Sequence, residues 1–329
     1  MESLEQIIAV FSDFIDPKKR VFVGYLGISL LLAMVWLIAI RETPVRRAFA
    51  KVFDRKIFFS GSSITDYKIF LINRIFTFFI SPLLLTQVAI ATSVYFFLHS
   101  VEFLHAGQLQ AIDKSIVIVF FTITMFVVDD FSKYLLHCWM HKFPALWSIH
   151  KVHHSATTLT PITVYRIHPL EGVLYASRNA IAQGCVISLF FYLFGEKVDL
   201  YTIVGVNFLV FFFHVTGSNL RHSHISIRYW GWLERILISP AQHQLHHSIA
   251  IKHYDKNFGA ALAIWDWLFG SLHLSQAEGD LTFGLDPSEG SSDTNIATLY
   301  LKPFIEIGKF STRPFRWIYA TFRGVFSIR

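Results

Sequence analysis

The chain has 329 residues, of which 53% are hydrophobic and 16% are charged, and its formal net charge is +6. Soluble globular proteins carry about 25% charged residues, so this composition excludes an ordinary soluble domain and is typical of a membrane protein. The basic residues are dispersed along the chain, which argues against nucleic-acid binding and favours cytoplasmic loops and contacts with anionic membrane lipids.

Five apolar segments alternate with polar connectors along the chain. They are residues 21–40, 69–98, 115–128, 173–194 and 201–213. The first has the length that a membrane-spanning helix needs, whereas the last two are short or imperfect and are expected to form a hairpin that crosses only in part. The sequence therefore predicts an all-α transmembrane helical bundle, with four to five spans or a re-entrant hairpin. The N-terminus lacks the features of a secretory signal.

The basic stretch at residues 41–56 orients the bundle, because lysine and arginine concentrate in cytoplasmic loops. Two further crossings bring residues 129–273 to the same side. We expect one integral membrane domain over residues 1–329, with 129–273 as a cytoplasmic histidine-rich helical cap. Residues 274–329 would form a cytoplasmic or membrane-surface tail, with a flexible stretch at 286–293.

Eight histidines form three short clusters within this cap. The first cluster reads H-C-W-M-H, and the second and third both follow the pattern H-x-x-H-H. Histidines four residues apart lie on one helix face, whereas adjacent ones diverge by about 100° and can reach two different metal ions. The eight are His137, His141, His150, His153, His154, His243, His246 and His247. The pattern predicts a metal site on helices.

The number of histidines bears on the kind of metal. A structural zinc ion takes four ligands and a catalytic zinc takes three, so eight histidines exceed the need of one zinc ion. They suit two ions that each keep an open position for oxygen, and iron is the metal whose redox chemistry uses such a site. The residues alone leave open a zinc-dependent membrane lipid hydrolase and a non-enzymatic metal-binding membrane protein.

The surroundings of the clusters add a resemblance to a known family. Four further stretches accompany them: R-I-H-P-L-E, S-P-A-Q-H-Q-L-H-H-S, D-K-N-F-G and W-D-W-L-F-G. With these, residues 129–273 resemble the sterol desaturase and fatty acid hydroxylase superfamily, most of all its bacterial members. The resemblance implies a non-haem di-iron centre (Fe²⁺/Fe³⁺) on the cytoplasmic side of a membrane, here a bacterial inner membrane.

That resemblance also implies a reaction. The enzyme would be an O₂-dependent oxidoreductase that hydroxylates or desaturates a C–H bond of a lipid, such as a sterol, a fatty acyl chain or an ether lipid. No second soluble domain of sufficient length is visible in the sequence, so we expect electrons from a separate electron-transfer protein or reductase.

Members of the superfamily use one or two further histidines between the second and third clusters. By this resemblance His222 and His224 are predicted as additional ligands, with His214 as a further candidate. His222 and His224 are two residues apart, so one helix face cannot present both. This departs from the H-x-x-x-H pair of the fatty acid hydroxylases.

Several other polar residues are candidates for holding the ligands in place. His168 is expected to act as a ligand or as a partner of Glu171. Asp130 and Asp266 are expected to orient clustered histidines, because a ligating histidine usually donates its second N–H to a carboxylate or a carbonyl.

Overall fold

The computed structural model describes residues 11–84, 86–101, 105–203, 205–275, 279–286 and 294–311. Within these ranges the α-helices are α1 (Ser12–Ile15), α2 (Val23–Val35), α3 (Val45–Val52), α4 (Arg55–Phe58), α5 (Gly61–Ile80), α6 (Gln87–Ser100), α7 (Lys114–Lys142), α8 (Pro144–His154), α9 (Pro169–Phe194), α10 (Phe208–Val215), α11 (Pro240–His246), α12 (Ile264–Leu268) and α13 (Ile296–Ser311). A π-helical turn (Trp36–Ile40) extends α2. Strands β1 (Thr202–Ile203) and β2 (Val206–Asn207) form one short antiparallel pair. The end of the predicted tail and most of the predicted flexible stretch lie outside the described residues.

Short 3₁₀ helices connect several of these elements. They are Ser81–Leu83, Pro161–Tyr165, Gly195–Lys197, Ser218–His222, Leu233–Arg235 and Ile251–His253. The fold is thus helical almost throughout the described part, and the predicted all-α class is confirmed.

Four helical segments are long and apolar enough to cross a membrane. They are Val23–Ile40, Gly61–Ser100, Lys114–Lys142 and Pro169–Lys197. A helix rises 1.5 Å per residue and a bilayer core is about 30 Å thick, so about 20 residues suffice for one crossing. The predicted polytopic helical bundle is confirmed by these segments.

The second of these segments is interrupted between α5 and α6. The 3₁₀ turn Ser81–Leu83 contains Pro82, and α6 starts anew at Gln87 with the Thr86 hydroxyl as its cap. Helix α6 packs tightly on α9, where a Cβ added at Gly184 would lie 2.8 Å from Ile90 Cβ. This close approach needs a glycine, because any larger side chain would push the two helices apart.

Helices α7 and α9 share a buried apolar interface in the same bundle. It consists of Val117, Phe121, Met125, Val186, Phe190 and Phe194. Both helices continue from this interface to the histidine clusters, α7 at its C-terminal end and α9 at its N-terminal end. The paired membrane helices therefore hold two sides of the histidine-rich cap in a fixed relation.

The chain returns from α9 to the cap along a mostly non-helical path. Helix α10 has 8 residues and so spans about 12 Å, too short to cross a bilayer. Thr122 of α7 provides hydrogen-bond acceptors for this path. Its hydroxyl accepts from Tyr201 N at 3.0 Å, and its carbonyl accepts from Asn207 Nδ2 at 3.1 Å. Irregular backbone at membrane depth is tolerated where protein covers it. The second leg of the predicted hairpin is thus the short antiparallel pair β1–β2 followed by the short helix α10.

A buried ion pair fixes the loop between α8 and α9. Arg166 Nη1 lies 2.9 Å from Asp66 Oδ1, and both side chains are fully buried. Thr163 donates to the second carboxylate oxygen at 2.6 Å, and Arg166 Nε donates to Ser155 Oγ at 3.0 Å. Removing one partner of such a pair costs about 3–5 kcal/mol, so these contacts hold the end of α8 against α5.

Candidate metal centre

Nine histidines from four elements converge at the cap. Helix α7 supplies two, α8 supplies three, and α11 with the residue after it supplies three. The ninth is His222, at the end of the 3₁₀ helix Ser218–His222. They form two groups, and within each group one nitrogen per residue lies within 4.8 Å of all the others. The adjacent residues His153 and His154 fall in different groups, and so do His246 and His247.

The first group contains five histidines, His137, His141, His150, His154 and His246. We call it the five-histidine group. The Nε2 atoms of four of them, all except His137, are buried without a hydrogen-bond partner. Leaving a buried polar atom unpaired costs about 1–3 kcal/mol. Several such nitrogens converging on one point fit a metal ion better than a hydrogen-bonded core.

The second group contains four histidines, His153, His222, His243 and His247, and is called the four-histidine group. His222 is at its centre, because its Nε2 lies 3.1 Å from His153 Nε2, 3.0 Å from His243 Nε2 and 3.2 Å from His247 Nε2. A single Nε2 proton cannot satisfy three neighbouring nitrogens. Convergent nitrogen lone pairs of this kind are suited to a shared cation.

Acceptors on the far side of the rings orient four of the nine histidines. His137 Nδ1 donates to the Phe258 carbonyl at 2.8 Å, and His246 Nδ1 donates to the Lys256 carbonyl at 2.8 Å. His150 Nδ1 donates to Glu171 Oε1 at 2.9 Å, and His153 Nδ1 contacts the Arg166 carbonyl at 3.3 Å. An acceptor at Nδ1 fixes the tautomer that leaves the Nε2 lone pair free for a metal.

The D-K-N-F-G segment, residues 255–259, provides two of these acceptors, and the sequence interpretation missed that role. Asp255 and Asn257 both have φ of 57°, in the left-handed region, so the carbonyls of Lys256 and Phe258 turn toward the histidines. A Cβ at Gly259 would lie 2.6 Å from the Leu262 carbonyl. The glycine and the strained Asp and Asn are the signals in the sequence that mark this tight loop.

Asp266 holds this loop rather than a histidine. Its carboxylate accepts from Phe258 N at 2.8 Å, from Gly259 N at 2.7 Å and from the Ser271 hydroxyl at 2.6 Å. The Phe258 carbonyl in turn accepts from His137. Asp266 thus acts on the histidine through the loop, and burial raises the pKa of its carboxyl to about 6.

Burial keeps the clustered histidines neutral. Burial and, to a lesser extent, positive charge on neighbouring groups together lower the pKa of His153 to about 3. The same two causes lower the pKa well below its ordinary value for His150, His154, His222, His243, His246 and His247. Neutral imidazole is the form that binds metal, so these sites do not need to lose protons before binding.

Three predicted or candidate ligands lie outside both groups. His224 Nε2 donates to the Lys51 carbonyl at 2.8 Å, on the far side of the loop from His222. His168 caps α9 by accepting from Leu170 N, and its Nε2 donates to the Tyr300 carbonyl at 3.1 Å. His214 Nδ1 pairs with the Ser218 hydroxyl at 2.9 Å. The geometry therefore supports His222 as a ligand, but gives no support to the prediction of His224 or to the candidates His168 and His214.

The two remaining carboxylates differ in what they contact. Glu171 bonds His150, as expected of a group that orients a ligand, although the sequence interpretation had paired it with His168. Asp130 instead accepts from the backbone of Ala261 and Leu262 at 2.8 and 3.1 Å and from Trp265 Nε1 at 2.9 Å. It anchors the segment after the D-K-N-F-G loop on α7, so its predicted contact with a histidine is not formed.

Two cavities adjoin the histidine groups. A pocket of about 280 Å³ is lined by His141, His154, His246 and His247 together with Trp147 and Tyr254. A second cavity, the large cavity, has a volume of about 910 Å³. It lies between α7, α9 and the return segment, and Arg20 and Arg221 line its end beside His222.

Comparison with known proteins agrees with this geometry. Residues 122–271, which include all nine histidines, match the model of a family described as fatty acid hydroxylase. This match and the relatives below support the predicted resemblance to the sterol desaturase and fatty acid hydroxylase superfamily. The matched region coincides with the part of the chain that carries the nine converging histidines.

Curated relatives of this region act on several kinds of lipid, by their names. Ornithine lipid hydroxylase OlsE from Rhizobium tropici is 28% identical over 45% of this chain and 40% of its own length. Alkylglycerol monooxygenase from Homo sapiens is 27% identical over 49% of this chain and 32% of its own length. Delta(7)-sterol 5(6)-desaturase from Eremothecium gossypii is 30% identical over 43% of this chain and 34% of its own length. The chain thus spans well under half the length of these relatives, and no solved structure matches it.

Proposed function

We propose that the protein is a membrane-bound non-haem di-iron oxygenase that hydroxylates or desaturates a C–H bond of a lipid. The observation that carries this proposal is the pair of adjoining histidine groups, with five and four buried nitrogens converging on two points. The match to the fatty acid hydroxylase family and relatives named as hydroxylase, desaturase and monooxygenase support the oxidative chemistry.

The donor set favours iron over zinc. The five imidazoles of the five-histidine group exceed the four ligands of a closed zinc site, and within the described residues neither group includes a carboxylate or a thiolate. A zinc hydrolase would also need a general base near the metal-bound water. Among the described residues Glu171 is the carboxylate that contacts a clustered histidine, and it does so at His150 Nδ1, on the opposite side of the ring from the unpartnered Nε2.

Iron bound at these two groups would supply the activation of O₂ that C–H oxidation requires. The chain itself supplies orientation and exclusion of water. The Lys256 and Phe258 carbonyls and Glu171 hold the imidazoles of His246, His137 and His150. The Phe258 ring packs 5.1 Å from the His141 ring and places an apolar surface against the five-histidine group.

The proposal extends to partners and location. A lipid would reach the centre through the large cavity between membrane helices α7 and α9. The basic segment at residues 41–56 favours a cytoplasmic position for the cap, as in a bacterial inner membrane. A separate electron-transfer protein or reductase would then deliver electrons from the cytoplasm.

Oxygen uptake and metal analysis of the purified protein test the proposal. We expect iron-loaded protein in lipid nanodiscs to consume O₂ only when reductant and an oxidisable lipid are both present. His153→Ala and His246→Ala should each lower iron content and abolish uptake. His105→Ala is the matched control, because His105 is exposed and lies outside both groups.

Two results would contradict the proposal. Release of lipid hydrolysis products by zinc-loaded protein without O₂ would favour a hydrolase. Full iron content and uptake in both His153→Ala and His246→Ala would show that the metal lies elsewhere.

A further inference from the structure

Two arginines lie side by side at the end of the large cavity. Arg20 Nη2 and Arg221 Nε both donate to the same carbonyl, that of Ser218. Asn219 Nδ2 donates to the Arg20 carbonyl at 2.8 Å and so fixes the backbone of Arg20 beside the 3₁₀ helix. Because the two guanidinium groups share one acceptor, their positive charges are close together.

Neither arginine forms a salt bridge with a carboxylate in the described part of the chain. Other cations in that part of the chain form ion pairs: Arg166 with Asp66, Arg74 with Asp13, and both Lys133 and Arg178 with Asp129.

Burying these two guanidinium groups side by side costs free energy. Arg221 is 7% exposed, and the Nε atom of Arg20 is buried without a hydrogen-bond partner. Burial lowers the pKa of Arg221 to about 10, and the nearby Asp130 carboxylate opposes this only in part. The oxygens of Asp130 accept from Ala261 N, Leu262 N and the Trp265 indole and form no ion pair with either arginine. Two buried guanidinium groups with one carboxylate nearby carry an excess of positive charge, which is unfavourable. A bound anion would compensate that excess.

Much of the remaining cavity surface is apolar. Helices α7, α9 and α10 contribute the apolar side chains Phe121, Met125, Phe126, Ile187, Phe191 and Phe213. The lining also contains polar side chains, and among its charged ones Asp129 and Lys133 form an ion pair with each other. A cavity that combines a pair of cations with a large apolar surface is complementary to a molecule with an anionic group and a hydrocarbon chain. Arginine binds carboxylate and phosphate with paired, charge-assisted hydrogen bonds.

We propose that the large cavity binds an anionic amphiphile, whose carboxylate or phosphate pairs with Arg20 and Arg221 and whose hydrocarbon chain lies along α7 and α9. The inference deepens the proposed function, because this amphiphile would be the lipid substrate. Arg20 Nη2 lies 3.3 Å from His222 Nδ1, so the anionic group would lie beside the four-histidine group. The carbons nearest the anionic group would then be those closest to the metal centre.

Equilibrium binding to the metal-free full-length protein in neutral-detergent micelles tests this site. The probes are dodecanoate, dodecyl phosphate and dodecanol, which share a chain and differ in the headgroup. We expect either anion to bind at least about tenfold more tightly than dodecanol, since one charge-assisted hydrogen bond corresponds to about that factor. Equal binding of all three by the native protein would overturn the inference, whatever the variants do.

Variants test whether Arg20 is responsible for the preference for anionic probes over dodecanol. Arg20→Gln should remove most of the preference for the anions and leave dodecanol binding unchanged, whereas Arg20→Lys should retain part of it. Lys19→Gln is the matched control, because Lys19 is a neighbouring cation that is largely exposed and does not line the cavity. An equal loss of preference in Lys19→Gln and Arg20→Gln would contradict the site.

Two further measurements complete the test. One asks whether the site takes a free anion or an amphiphile, and the other separates the binding site from the proposed oxygenase activity. Acetate and inorganic phosphate should not displace dodecanoate at similar concentrations, and displacement by either would mean that the site takes a free anion. The binding experiment uses neither metal nor O₂. A protein that prefers anions but consumes no O₂ would refute the oxygenase and leave this site standing.

Discussion

Replacing His222 by alanine should weaken metal binding, whereas the same change at the neighbouring His224 should not. The two residues are two positions apart in one loop, but they face opposite ways. The Nε2 atom of His222 contacts three Nε2 atoms of the four-histidine group at 3.0–3.2 Å. That of His224 donates to the Lys51 carbonyl at 2.8 Å. His222→Ala should therefore weaken one metal site, and His224→Ala should weaken neither.

The expected size of the effect follows from the number of ligands. Structural zinc sites with four ligands bind with about 10–16 kcal/mol, so one ligand of four accounts for roughly 3 kcal/mol. At about 1.4 kcal/mol per factor of ten, His222→Ala should weaken metal binding at the four-histidine group roughly a hundredfold. His222 does not belong to the five-histidine group, so binding there should be unchanged. His224→Ala removes one hydrogen bond and should cost about 1 kcal/mol of folding stability.

Metal content under chelator competition provides the measurement. Protein loaded with iron under anaerobic conditions is dialysed against a graded series of chelator concentrations, and iron per chain is then determined by mass spectrometry. We expect two ions in the native protein and in His224→Ala, and about one in His222→Ala at intermediate chelator concentration. Thermal unfolding of the metal-free proteins controls for misfolding. The reasoning is refuted if His222→Ala retains both ions with native affinity, or if His224→Ala loses iron to the same extent.

Three further outcomes follow from the geometry. Glu171→Gln should lower metal affinity about 10–100-fold, because it removes the carboxylate that accepts the hydrogen bond from His150. Glu196 is exposed, so Glu196→Gln should leave metal affinity unchanged, and equal affinities of the two variants in chelator competition would contradict this prediction. Burial lowers the pKa of His153 to about 3 from about 6.5 in an unfolded chain, so stability of the metal-free protein should be full above about pH 6.5 and fall as pH drops toward 3. Denaturation midpoints that stay constant from pH 7 to pH 5 would argue against it. Gly259→Ala should destabilise the protein by about 1–3 kcal/mol, because its Cβ would lie 2.6 Å from a backbone carbonyl, and should lower metal content. Gly27→Ala, which meets nothing within 4 Å, is the control for unfolding and iron assays.

The spans and the histidine clusters could be predicted because each depends on a short-range pattern. A run of about 20 apolar residues has few alternatives to a membrane helix, and α9 agrees closely with the predicted segment 173–194. Helix α7 contains the predicted segment 115–128 but continues to Lys142, so that it carries the first histidine cluster on the same helix. The i, i+3 and i, i+4 spacings likewise place clustered histidines on helix faces, and α7, α8 and α11 present them there. The pattern does not say which histidines share an ion, since that depends on how three separate helices pack.

The choice between His222 and His224 was beyond sequence reasoning for a related cause. The segment forms a short 3₁₀ helix that ends at His222, after which Ser223 is extended. Neither a 3.6-residue nor a two-residue period applies across such a junction. Only the packing of the loop on α11 determines that His222 points inward and His224 points toward α3.

The acceptors behind the rings illustrate a different limit. The Lys256, Phe258 and Arg166 carbonyls orient three histidines, and a backbone carbonyl has the same chemistry in every residue. Side-chain identity therefore cannot reveal them. The carboxylates that the sequence offered instead, Asp130 and Asp266, bind backbone N–H groups and shape the loop that carries two of these carbonyls.

The use of carbonyls in place of carboxylates has an electrostatic consequence for the proposed centre. Nine neutral imidazoles bring no charge, and Glu171 is the one carboxylate that contacts a ligand within the described residues. Two divalent ions would therefore leave excess positive charge in a buried site, next to the guanidinium groups of Arg20 and Arg221, which form no salt bridge within the described residues. Positive charge in a low-dielectric site favours uptake of electrons and the binding of anions. The scarcity of carboxylates thus accords both with a centre that must be reduced before it reacts with O₂ and with a substrate that carries its own negative charge.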